Sequence, residues 1–302
     1  MRNLLTLMDY STETIEKLII DAHAIKETKQ TSAWSKCSYP YILEGKNILL
    51  YFEKPSLRTH LTFEMAVRNL GGNPIYFDNS KQMGREPDVD IAKNIARWGL
   101  DGIVARVFSQ TTLETFMKYT NVPVINALSD LYHPCQALAD YMTMKELTGK
   151  NWKDLKLAYI GEPNNVSNSL MIMAAKLGTT FTICCPASMS PDYLLLKQCQ
   201  KLNPNIKVSC FIEDIKDFDV IYGDTWYSMG DEYTPNKALI LQAYQINKAL
   251  LTALNIPYVL HCLPCHRDQE ITDEVIQEHP EIYQLAENRL WTEMSVLHYL
   301  FY

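Results

Sequence analysis

The sequence predicts an α/β fold made of two doubly wound domains, each built on a parallel sheet. Short apolar runs of strand length alternate with amphipathic stretches of helix length along the whole chain, a pattern typical of parallel sheets covered on both faces. The pattern restarts at Leu155, after a polar stretch over residues 146–154. The chain has 302 residues, a length that suits two domains of roughly 150 residues each.

The first half of the chain predicts a leading helix followed by alternating strands and helices. The first helix begins near Ser11 and Glu13, and its apolar residues recur at helical spacing. A second apolar stripe of the same kind starts at Phe63 and ends at the helix-stopping pair Gly71 and Gly72. Strand-like apolar runs cover residues 48–52, 75–77, 103–108 and 122–127.

The second half repeats this order of elements. Strand-like runs cover residues 157–160, 181–185, 207–211, 220–222 and 258–261, and a helix is predicted over residues 166–177. We therefore expect one domain over residues 1–148 and a second over residues 149–289. The last helix, residues 290–302, is expected to pack back on the first domain.

Composition and charge exclude several classes of protein. The chain has 28 Lys and Arg against 35 Asp and Glu, a formal net charge of -7, which disfavours binding to nucleic acid or to an anionic membrane. No apolar run approaches the roughly 20 residues of a membrane span, and the amino terminus does not resemble a secretion signal. We expect a cytoplasmic protein whose eight Cys are mostly small core residues.

The loops after the strands are where ligands of such sheets bind. The loop over residues 53–59 places Ser56, Arg58 and Thr59 at the start of a helix, where backbone donors and the helix dipole favour a phosphate group. An ordinary helix cap at Ser56 with a solvated Arg58 explains the same residues equally well.

Two further segments in the first half carry polar side chains suited to ligand binding. Arg106 interrupts an apolar run and needs an anionic partner, either a ligand or a structural salt bridge. His133 and Gln136 open a helix and are suited to polarise a carbonyl group and to hold an amide. A structural role for His133 is the alternative.

The second half offers an acid, a thiol and an amide at strand ends. Asp224 follows the run over residues 220–222 and suits an amino-acid ligand or a simple turn. Cys262, Cys265 and His266 fit a haem-attachment or zinc half-site pattern, but the chain has no second C-x-x-C sequence to complete a zinc site. The loop after residue 160 lacks the glycines of a dinucleotide fingerprint, and Asn165 within it is a candidate ligand or a helix cap.

Taken together, these segments resemble the signature segments of the aspartate and ornithine carbamoyltransferases. The segments are FEKPSLRT at 52–59, HPCQALAD at 133–140 and HCLP at 261–264, and the resemblance runs from Leu5 to about Leu297. Asp224 with the Ser-Met-Gly sequence at 228–230 looks like the ornithine-binding motif of that family. The resemblance implies transfer of the carbamoyl group of carbamoyl phosphate to the side-chain amine of L-ornithine, giving L-citrulline and phosphate.

The resemblance also implies where the reaction occurs and what it requires. The active site is expected in the cleft between the two domains, with no metal or organic cofactor and a role in arginine metabolism. Gln82 matches a residue that the family inserts into the site of a neighbouring subunit, which implies a homotrimer or an assembly of trimers. The expected ligands are the two small-molecule substrates. Binding to nucleic acid or to a membrane is not expected.

Residue roles follow from the same resemblance. Arg106, His133, Cys262 and Asp224 are the expected catalytic residues. Carbamoyl phosphate is expected to contact Ser56, Leu57, Arg58, Thr59, Gln82, Arg106, His133, Gln136, Cys262, Leu263 and Arg289. Ornithine is expected to contact Asn165, Asp224, Ser228 and Met229. The acceptor of the amine proton stays open among Cys262, Asp224 and the departing phosphate.

The sequence departs from the family pattern at three positions. Leu57 replaces a hydroxyl residue and His60 replaces an Arg in the phosphate loop, while Asp268 stands where the family usually has Gly. Two alternatives also stay open at this point. One is a carbamoyltransferase of the same fold that acts on putrescine, acetylornithine or aspartate, and the other is a catalytically silent relative with a binding or regulatory role.

Overall fold

A computed structural model describes residues 2–29, 31, 33–34, 39–79, 86–227 and 234–302. They form two compact units: unit 1 is Met1–Met142 with Asn288–Tyr302, and unit 2 is Thr143–Glu287. Both divisions come slightly earlier in the chain than the boundaries expected from the sequence. They fall inside the helices Pro134–Thr148 and Glu281–Phe301, where no polar linker marks them.

Unit 1 contains a parallel sheet with the strand order β2-β1-β3-β4. Its strands are β1 (Asn47–Phe52), β2 (Asn73–Asp78), β3 (Gly102–Arg106) and β4 (Val124–Leu128). The chain moves outward from β1 to β2 and then returns to the other side of β1, so the strand order reverses between β1 and β3. Such a switch point is where ligands bind in open α/β sheets, and here the Glu53 N–H donates to the Arg106 carbonyl at 2.9 Å.

The helices of the first half are α1 (Thr12–Lys29), α2 (Leu57–Asn69), α3 (Asp88–Ile95), α4 (Gln110–Tyr119) and α5 (Pro134–Thr148). Ser109 caps α4, since its side chain accepts from the Thr111 N–H. Tyr51, Ile103 and Phe116 belong to a buried apolar cluster between the sheet and these helices. This core fixes the strand ends from which the polar loops project.

Unit 2 repeats the arrangement with the strand order β7-β6-β5-β8-β9, again all parallel. The strands are β5 (Lys156–Ile160), β6 (Thr180–Cys184), β7 (Ile206–Ser209), β8 (Val220–Gly223) and β9 (Tyr258–His261). The remaining helices are α6 (Asn165–Leu177), α7 (Tyr193–Leu202), α8 (Pro235–Leu241), α9 (Lys248–Leu254), α10 (Asp273–Glu278) and α11 (Glu281–Phe301). The switch point of this sheet lies between β5 and β8.

The structure confirms the predicted class of two parallel-sheet α/β domains and corrects two boundaries. Strand β3 ends at Arg106 although the apolar run continues to Phe108. Helix α11 begins at Glu281 and not near residue 290, and its early apolar residues Ile282 and Leu285 are fully or almost fully buried. Buried polar residues between them and Leu290 hid the helical pattern. None of the described helices combines the length and the apolarity that crossing a bilayer requires.

Candidate active site

The loop from β1 into α2 gives unit 1 a helix start of the kind that suits an anion. Ser56 is the N-cap of α2, with its Oγ accepting from the Thr59 N–H at 3.4 Å. The hydroxyl proton of a capping serine stays available to a ligand, so the cap and the phosphate contact are compatible. Leu57 points its side chain outward, with 73% of it exposed, and only its backbone can face a ligand. Arg58 lies beside it in the first turn of α2.

A buried network around Arg289 joins three elements of unit 1. The guanidinium donates through Nε and Nη2 to Glu293 Oε1 at 3.0 and 2.6 Å. It also donates through Nη1 to Gln136 Oε1 at 2.8 Å and through Nη2 to Thr59 Oγ1 at 3.5 Å. Since Arg has five N–H donors, these four bonds leave one N–H on Nη1. Arg289 therefore binds mainly to protein and has little left for a ligand.

The side chain of Gln136 has one fixed orientation in this network. Its oxygen accepts from Arg289 and its Nε2 donates to Asp140 Oδ1 at 2.9 Å. Because a guanidinium only donates and a carboxylate only accepts, the amide cannot be turned over. The second N–H of the amide and the second lone pair of its oxygen remain for a planar amide ligand.

Arg106 and His133 lie in the same electrostatic environment as Arg289. Both side chains are buried, at 9% and 5% exposure. Burial lowers the pKa of His133 well below its usual range, and the charges of Arg289 and Arg106 lower it further. His133 is therefore a neutral imidazole at neutral pH, with one ring N–H that can donate to a developing oxyanion.

Glu53 joins the two switch-point strands of unit 1 and was not singled out from the sequence. Its Oε2 accepts from the Phe108 N–H at 2.8 Å, and burial raises the pKa of its carboxyl group. Lys54 lies over the Phe108 ring, 4.3 Å from its centroid. The loop after β1 is thus tied to the loop after β3, next to Arg106.

In unit 2, Asp224 is the centre of the polar contacts at the carboxyl ends of β5, β8 and β9. Its Oδ1 accepts from Cys262 Sγ at 2.9 Å and from the Thr225 N–H at 2.7 Å. Its Oδ2 accepts from Asn164 Nδ2 at 2.7 Å. Asp224 is 8% exposed, and all three donors are uncharged. The carboxylate therefore keeps its negative charge uncompensated by these contacts.

The contact between Asn164 and Asp224 corrects one interpretation of the sequence. Asn164, and not Asn165, caps α6, because its Oδ1 accepts from the Val166 and Ser167 N–H groups at 2.9 and 3.2 Å. The hypothesis that Asn165 is the cap is wrong. Asn165 is the first residue of the helix and partly exposed, and a ligand role for it remains a prediction. The pair of adjacent Asn residues gave no signal for choosing between them.

Leu263 and the two cysteines of the loop after β9 have distinct surroundings. Leu263 adopts φ +53, in the left-handed region that non-glycine residues rarely occupy. Its side chain and Cys265 pack against the apolar core of unit 2, whereas the Cys262 thiol donates to Asp224. Among the residues that the structure describes, no group of three or more His, Cys, Asp and Glu is arranged to hold a metal ion.

The structure accounts for two departures from the family pattern. His60 stacks on Tyr76, with ring centroids 3.8 Å apart, and its Nε2 lies 3.1 Å from Glu64 Oε2. Asp268 adopts φ +65, the backbone conformation for which glycine is the usual residue, and Asp is among the residues that tolerate it best. The backbone at this position therefore keeps a glycine-like shape although the residue has changed.

Three residues expected from the resemblance fall outside the described ranges. They are Gln82, Ser228 and Met229. The described residues on either side of the gap at 228–233 are joined, because the Tyr227 hydroxyl donates to the Thr234 carbonyl at 2.7 Å.

Comparisons with known proteins match both units. The family model described as aspartate/ornithine carbamoyltransferase, carbamoyl-P binding domain, matches residues 2–146, and the Asp/Orn binding domain of the same family matches residues 153–300. The ornithine carbamoyltransferase of Moritella abyssi is 46% identical over 98% of each chain, and that of Shewanella oneidensis is 42% identical over 100% of each.

Solved structures give the same result for the backbone. The ornithine carbamoyltransferase from Pyrococcus furiosus superposes with a TM-score of 0.89 at 36% identity, over 98% of this chain and 96% of that one. The anabolic ornithine carbamoyltransferase from Campylobacter jejuni gives 0.90 at 32% identity over 99% of both.

Proposed function

The chain belongs to the aspartate/ornithine carbamoyltransferase family, and we propose that it transfers the carbamoyl group of carbamoyl phosphate to the side-chain amine of L-ornithine. The products are L-citrulline and phosphate. The full-length relationship to proteins named for this reaction carries the proposal. The contrast in charge between the two candidate sites supports it, because one substrate is an anion and the other carries an ammonium group.

Carbamoyl phosphate is the ligand proposed for unit 1. The hydroxyls of Ser56 and Thr59, the backbone of Leu57 and the guanidinium of Arg58 suit the phosphate group, since they stand at the start of α2. Arg106 would bridge the phosphate and the carbonyl oxygen, Gln136 would hold the carbamoyl amino group, and Arg289 would add a further contact through its one remaining N–H. Cys262 and Leu263 of unit 2 complete the proposed set of contacts, the Leu263 carbonyl taking the carbamoyl amino group.

The chemistry requires a neutral amine and a stabilised oxyanion. An alkylamine with a pKa of about 10.4 is neutral in only about one molecule in 2500 at pH 7, a penalty of roughly 4.6 kcal/mol, which desolvation reduces. The amine nitrogen attacks the carbonyl carbon and loses a proton to Cys262, Asp224 or the departing phosphate, and the carbon–oxygen bond to phosphate breaks. Arg106 and neutral His133 suit the charge that develops on the carbonyl oxygen.

Ornithine is the ligand proposed for unit 2, where Asn165, Asp224, Ser228 and Met229 are the expected contacts. The three groups that donate to Asp224, from Asn164, Thr225 and Cys262, are all uncharged. Its negative charge would therefore attract an ammonium group. The Cys262 thiol beside it would orient the attacking amine. An aspartate acceptor would bring a second carboxylate to this position instead.

A homotrimer with Gln82 shared between subunits is part of the proposal. The edge strand β2 and the segment after α3 expose Tyr76, Phe77 and Trp98, the last to 70%, beside a cavity of about 680 Å³. Large exposed apolar patches of this kind are typical of subunit interfaces. Light scattering of the purified protein tests the assembly, and a monomer at assay concentration would contradict it.

The proposal also places the protein in the cytoplasm, as an enzyme of arginine metabolism. No disulfide joins the cysteines that the structure describes, as suits a reducing compartment. Cell fractionation followed by detection of the protein tests the location.

The decisive experiment compares acceptors directly. Purified protein is incubated with carbamoyl phosphate and, in separate reactions, ornithine, putrescine, acetylornithine or aspartate, while phosphate and the carbamoylated product are measured. We expect citrulline with ornithine and at least tenfold lower kcat/KM with the other acceptors. A preference for another acceptor would overturn the choice of ornithine, and no phosphate release with any of them would overturn catalysis.

A further inference from the structure

A buried carboxylate in unit 2 has no part in the reaction described so far. Glu270 lies in the loop between β9 and α10 and is 2% exposed. A buried carboxylate is costly unless neighbouring groups compensate it. Its neighbours are His261, the last residue of β9, and His266 in the loop that carries Cys262 and Leu263.

The contacts of Glu270 lie on both sides of Cys262 and Leu263 in the chain. Its Oε1 accepts from the backbone N–H of His266 at 2.5 Å and lies 3.5 Å from the ring nitrogen Nε2 of His261. Its Oε2 lies 3.8 Å from His266 Nδ1. The two contacts with histidine ring nitrogens are within ion-pair distance but are longer than hydrogen bonds. The carboxylate thus faces the last residue of β9 and the residue five positions further on.

The orientation of His261 decides which of its nitrogens carries the proton. Its Nδ1 accepts from the Leu263 N–H at 2.9 Å, so the ring proton is on Nε2, the atom that faces Glu270. A carboxylate facing one ring nitrogen in this way fixes the tautomer and the ring orientation. Glu270 therefore keeps His261 Nδ1 available as an acceptor for the backbone of Leu263.

The Leu263 backbone needs such support. Its φ of +53 is strained for a leucine and persists only where the surroundings over-determine it. The hydrogen bond from its N–H to His261 and the packing of its side chain against the core supply that constraint. The turn sets the direction of the Leu263 carbonyl and of the adjacent Cys262, whose thiol donates to Asp224.

A second chain of contacts leads from Glu270 to Asp224. His266 Nδ1 is hydrogen-bonded to Thr225 Oγ1 at 3.1 Å, and the Thr225 N–H donates to Asp224 Oδ1 at 2.7 Å. Glu270 is thus connected to Asp224 through His261 and Cys262 on one side and through His266 and Thr225 on the other.

We propose that Glu270 is a positioning residue for the acceptor site, acting through His261 and His266 on the Leu263 turn and on the Asp224–Cys262 pair without touching substrate. This inference rests on the proposed function, since it concerns the site assigned to ornithine. Most of the proposed contacts of carbamoyl phosphate lie in unit 1 on other elements, so its affinity should depend on the carboxylate only through Cys262 and the Leu263 carbonyl, and less than the affinity for ornithine does.

The first test is Glu270→Gln in the full-length chain. Glutamine keeps the shape and one oxygen that accepts from the His266 N–H, but it removes the charge that orients His261. We expect the KM for ornithine to rise roughly tenfold or more, with a clearly smaller rise in the KM for carbamoyl phosphate, which shares only Cys262 and the Leu263 carbonyl with this turn. Glu274→Gln is the matched control, because Glu274 is an exposed residue paired with Lys248, and it should leave both constants unchanged.

A pair of His261 variants separates positioning from packing. In His261→Asn the side-chain oxygen takes the place of Nδ1 and can still accept from the Leu263 N–H, whereas His261→Leu fills the space without an acceptor. We expect the KM for ornithine of the His261→Asn variant to be at least fivefold lower than that of the His261→Leu variant. This pair also tests the inference if Glu270→Gln does not fold.

The outcomes are distinguishable from failure of the proposed function. If the wild-type protein makes no citrulline from ornithine, the proposed function fails before any variant is measured. If it does make citrulline, a wild-type ornithine KM in both Glu270→Gln and His261→Leu overturns the inference. Equal increases in both substrate constants, or equal behaviour of the Asn and Leu variants, would overturn it too, since either marks a role in general packing.

Discussion

In unit 1 the buried cation Arg289 is held by Glu293, four residues along the same helix, whereas in unit 2 the buried anion Asp224 is held by an amide and a thiol from two other loops. The first charge is neutralised by a local carboxylate before any ligand arrives. The second charge is only solvated by neutral donors. Arg106 and the helix start then leave unit 1 suited to an anion, while unit 2 is suited to a cation.

The difference shows how one chain can prepare two opposite sites. A buried ion pair within one helix forms when the helix packs against the rest of the protein. Its desolvation and its attraction therefore contribute to the free energy of folding and not to that of ligand binding. A carboxylate held by neutral groups contributes less to folding and keeps its charge for binding. Substitutions in the two units should therefore have different signatures.

Arg106→Ala tests the anionic side of the comparison and should have the largest effect on activity. Removing one donor to a developing oxyanion typically costs about 2.7 to 4 kcal/mol, or roughly 100- to 1000-fold in turnover. We expect a decrease of that size or larger in kcat, with the circular dichroism spectrum unchanged. Arg68→Ala, which changes an exposed Arg of α2, is the control and should retain activity. Near-normal turnover of Arg106→Ala would reject its role.

Glu293→Gln tests whether the Arg289–Glu293 ion pair of unit 1 stabilises the folded state. Breaking a buried ion pair by removing one partner costs about 3 to 5 kcal/mol, and Glu293 is fully buried. We expect a decrease of that order in the free energy of unfolding, measured by urea denaturation. Glu64→Gln is the matched control, because Glu64 forms the same four-residue pair with exposed Arg68, and it should cost less than about 1 kcal/mol. Equal losses would remove the distinction between the pairs.

Asp224→Asn tests the cationic side. A hydrogen bond to a charged group contributes about 1.5 to 3 kcal/mol, so we expect the KM for ornithine to rise roughly 10- to 150-fold. The KM for carbamoyl phosphate and the free energy of unfolding should change little. Steady-state kinetics with each substrate varied in turn measures both constants. Equal effects on the two constants would show that Asp224 does not define a separate acceptor site.

The depressed pKa of His133 predicts a dependence of stability on acid. Since burial lowers this pKa below that of the unfolded chain, the unfolded state binds the extra proton first, and stability falls as the pH drops below about 6.5. The loss is at most about 1.4 kcal/mol per pH unit for one proton. His133→Gln should remove this component, so its free energy of unfolding should depend less steeply on pH between about 6.5 and 5. An identical pH slope in the two proteins would contradict a buried neutral imidazole.

Asp268→Gly should have the smallest effect. Glycine relieves the positive φ of this residue, but it removes the Oδ1 that accepts from the Asp273 N–H at 3.2 Å and increases the entropy of the unfolded chain. These contributions oppose each other, and we expect a net change below about 1 kcal/mol in the free energy of unfolding. A loss above about 2 kcal/mol would show that the side chain, and not the backbone shape, is what matters here.

Local sequence signals were enough to predict the parallel sheets and the loops that carry most of the proposed site. Apolar runs of strand length predicted the position of each strand from β1 to β9 among the described residues. Ser56 at the head of α2 was recognisable as a cap or a phosphate ligand, because both depend on the start of the same helix. The family motifs at 133–140 and 261–264 then connected loops that periodicity could not connect.

Long-range contacts were not predictable in this way. Gln136 and Arg289 are 153 positions apart and share a buried hydrogen bond, and no local pattern marks such a pair. A polar residue in a helix or loop usually faces solvent, and for this reason the buried residues Glu53, Glu270 and Glu293 were passed over. Their burial becomes visible only when distant segments pack around them.

The sequence by itself determined the order of strands and helices along the chain, the cap at Ser56, and the chemistry available in each loop, since these depend on neighbours within a few residues. Only the tertiary structure decided which charges are neutralised and which are left for a ligand. The physical reason is that the energy of a buried charge depends on the groups around it in space. For Arg289 those groups include Gln136 and Thr59, and for Asp224 they are Asn164, Thr225 and Cys262.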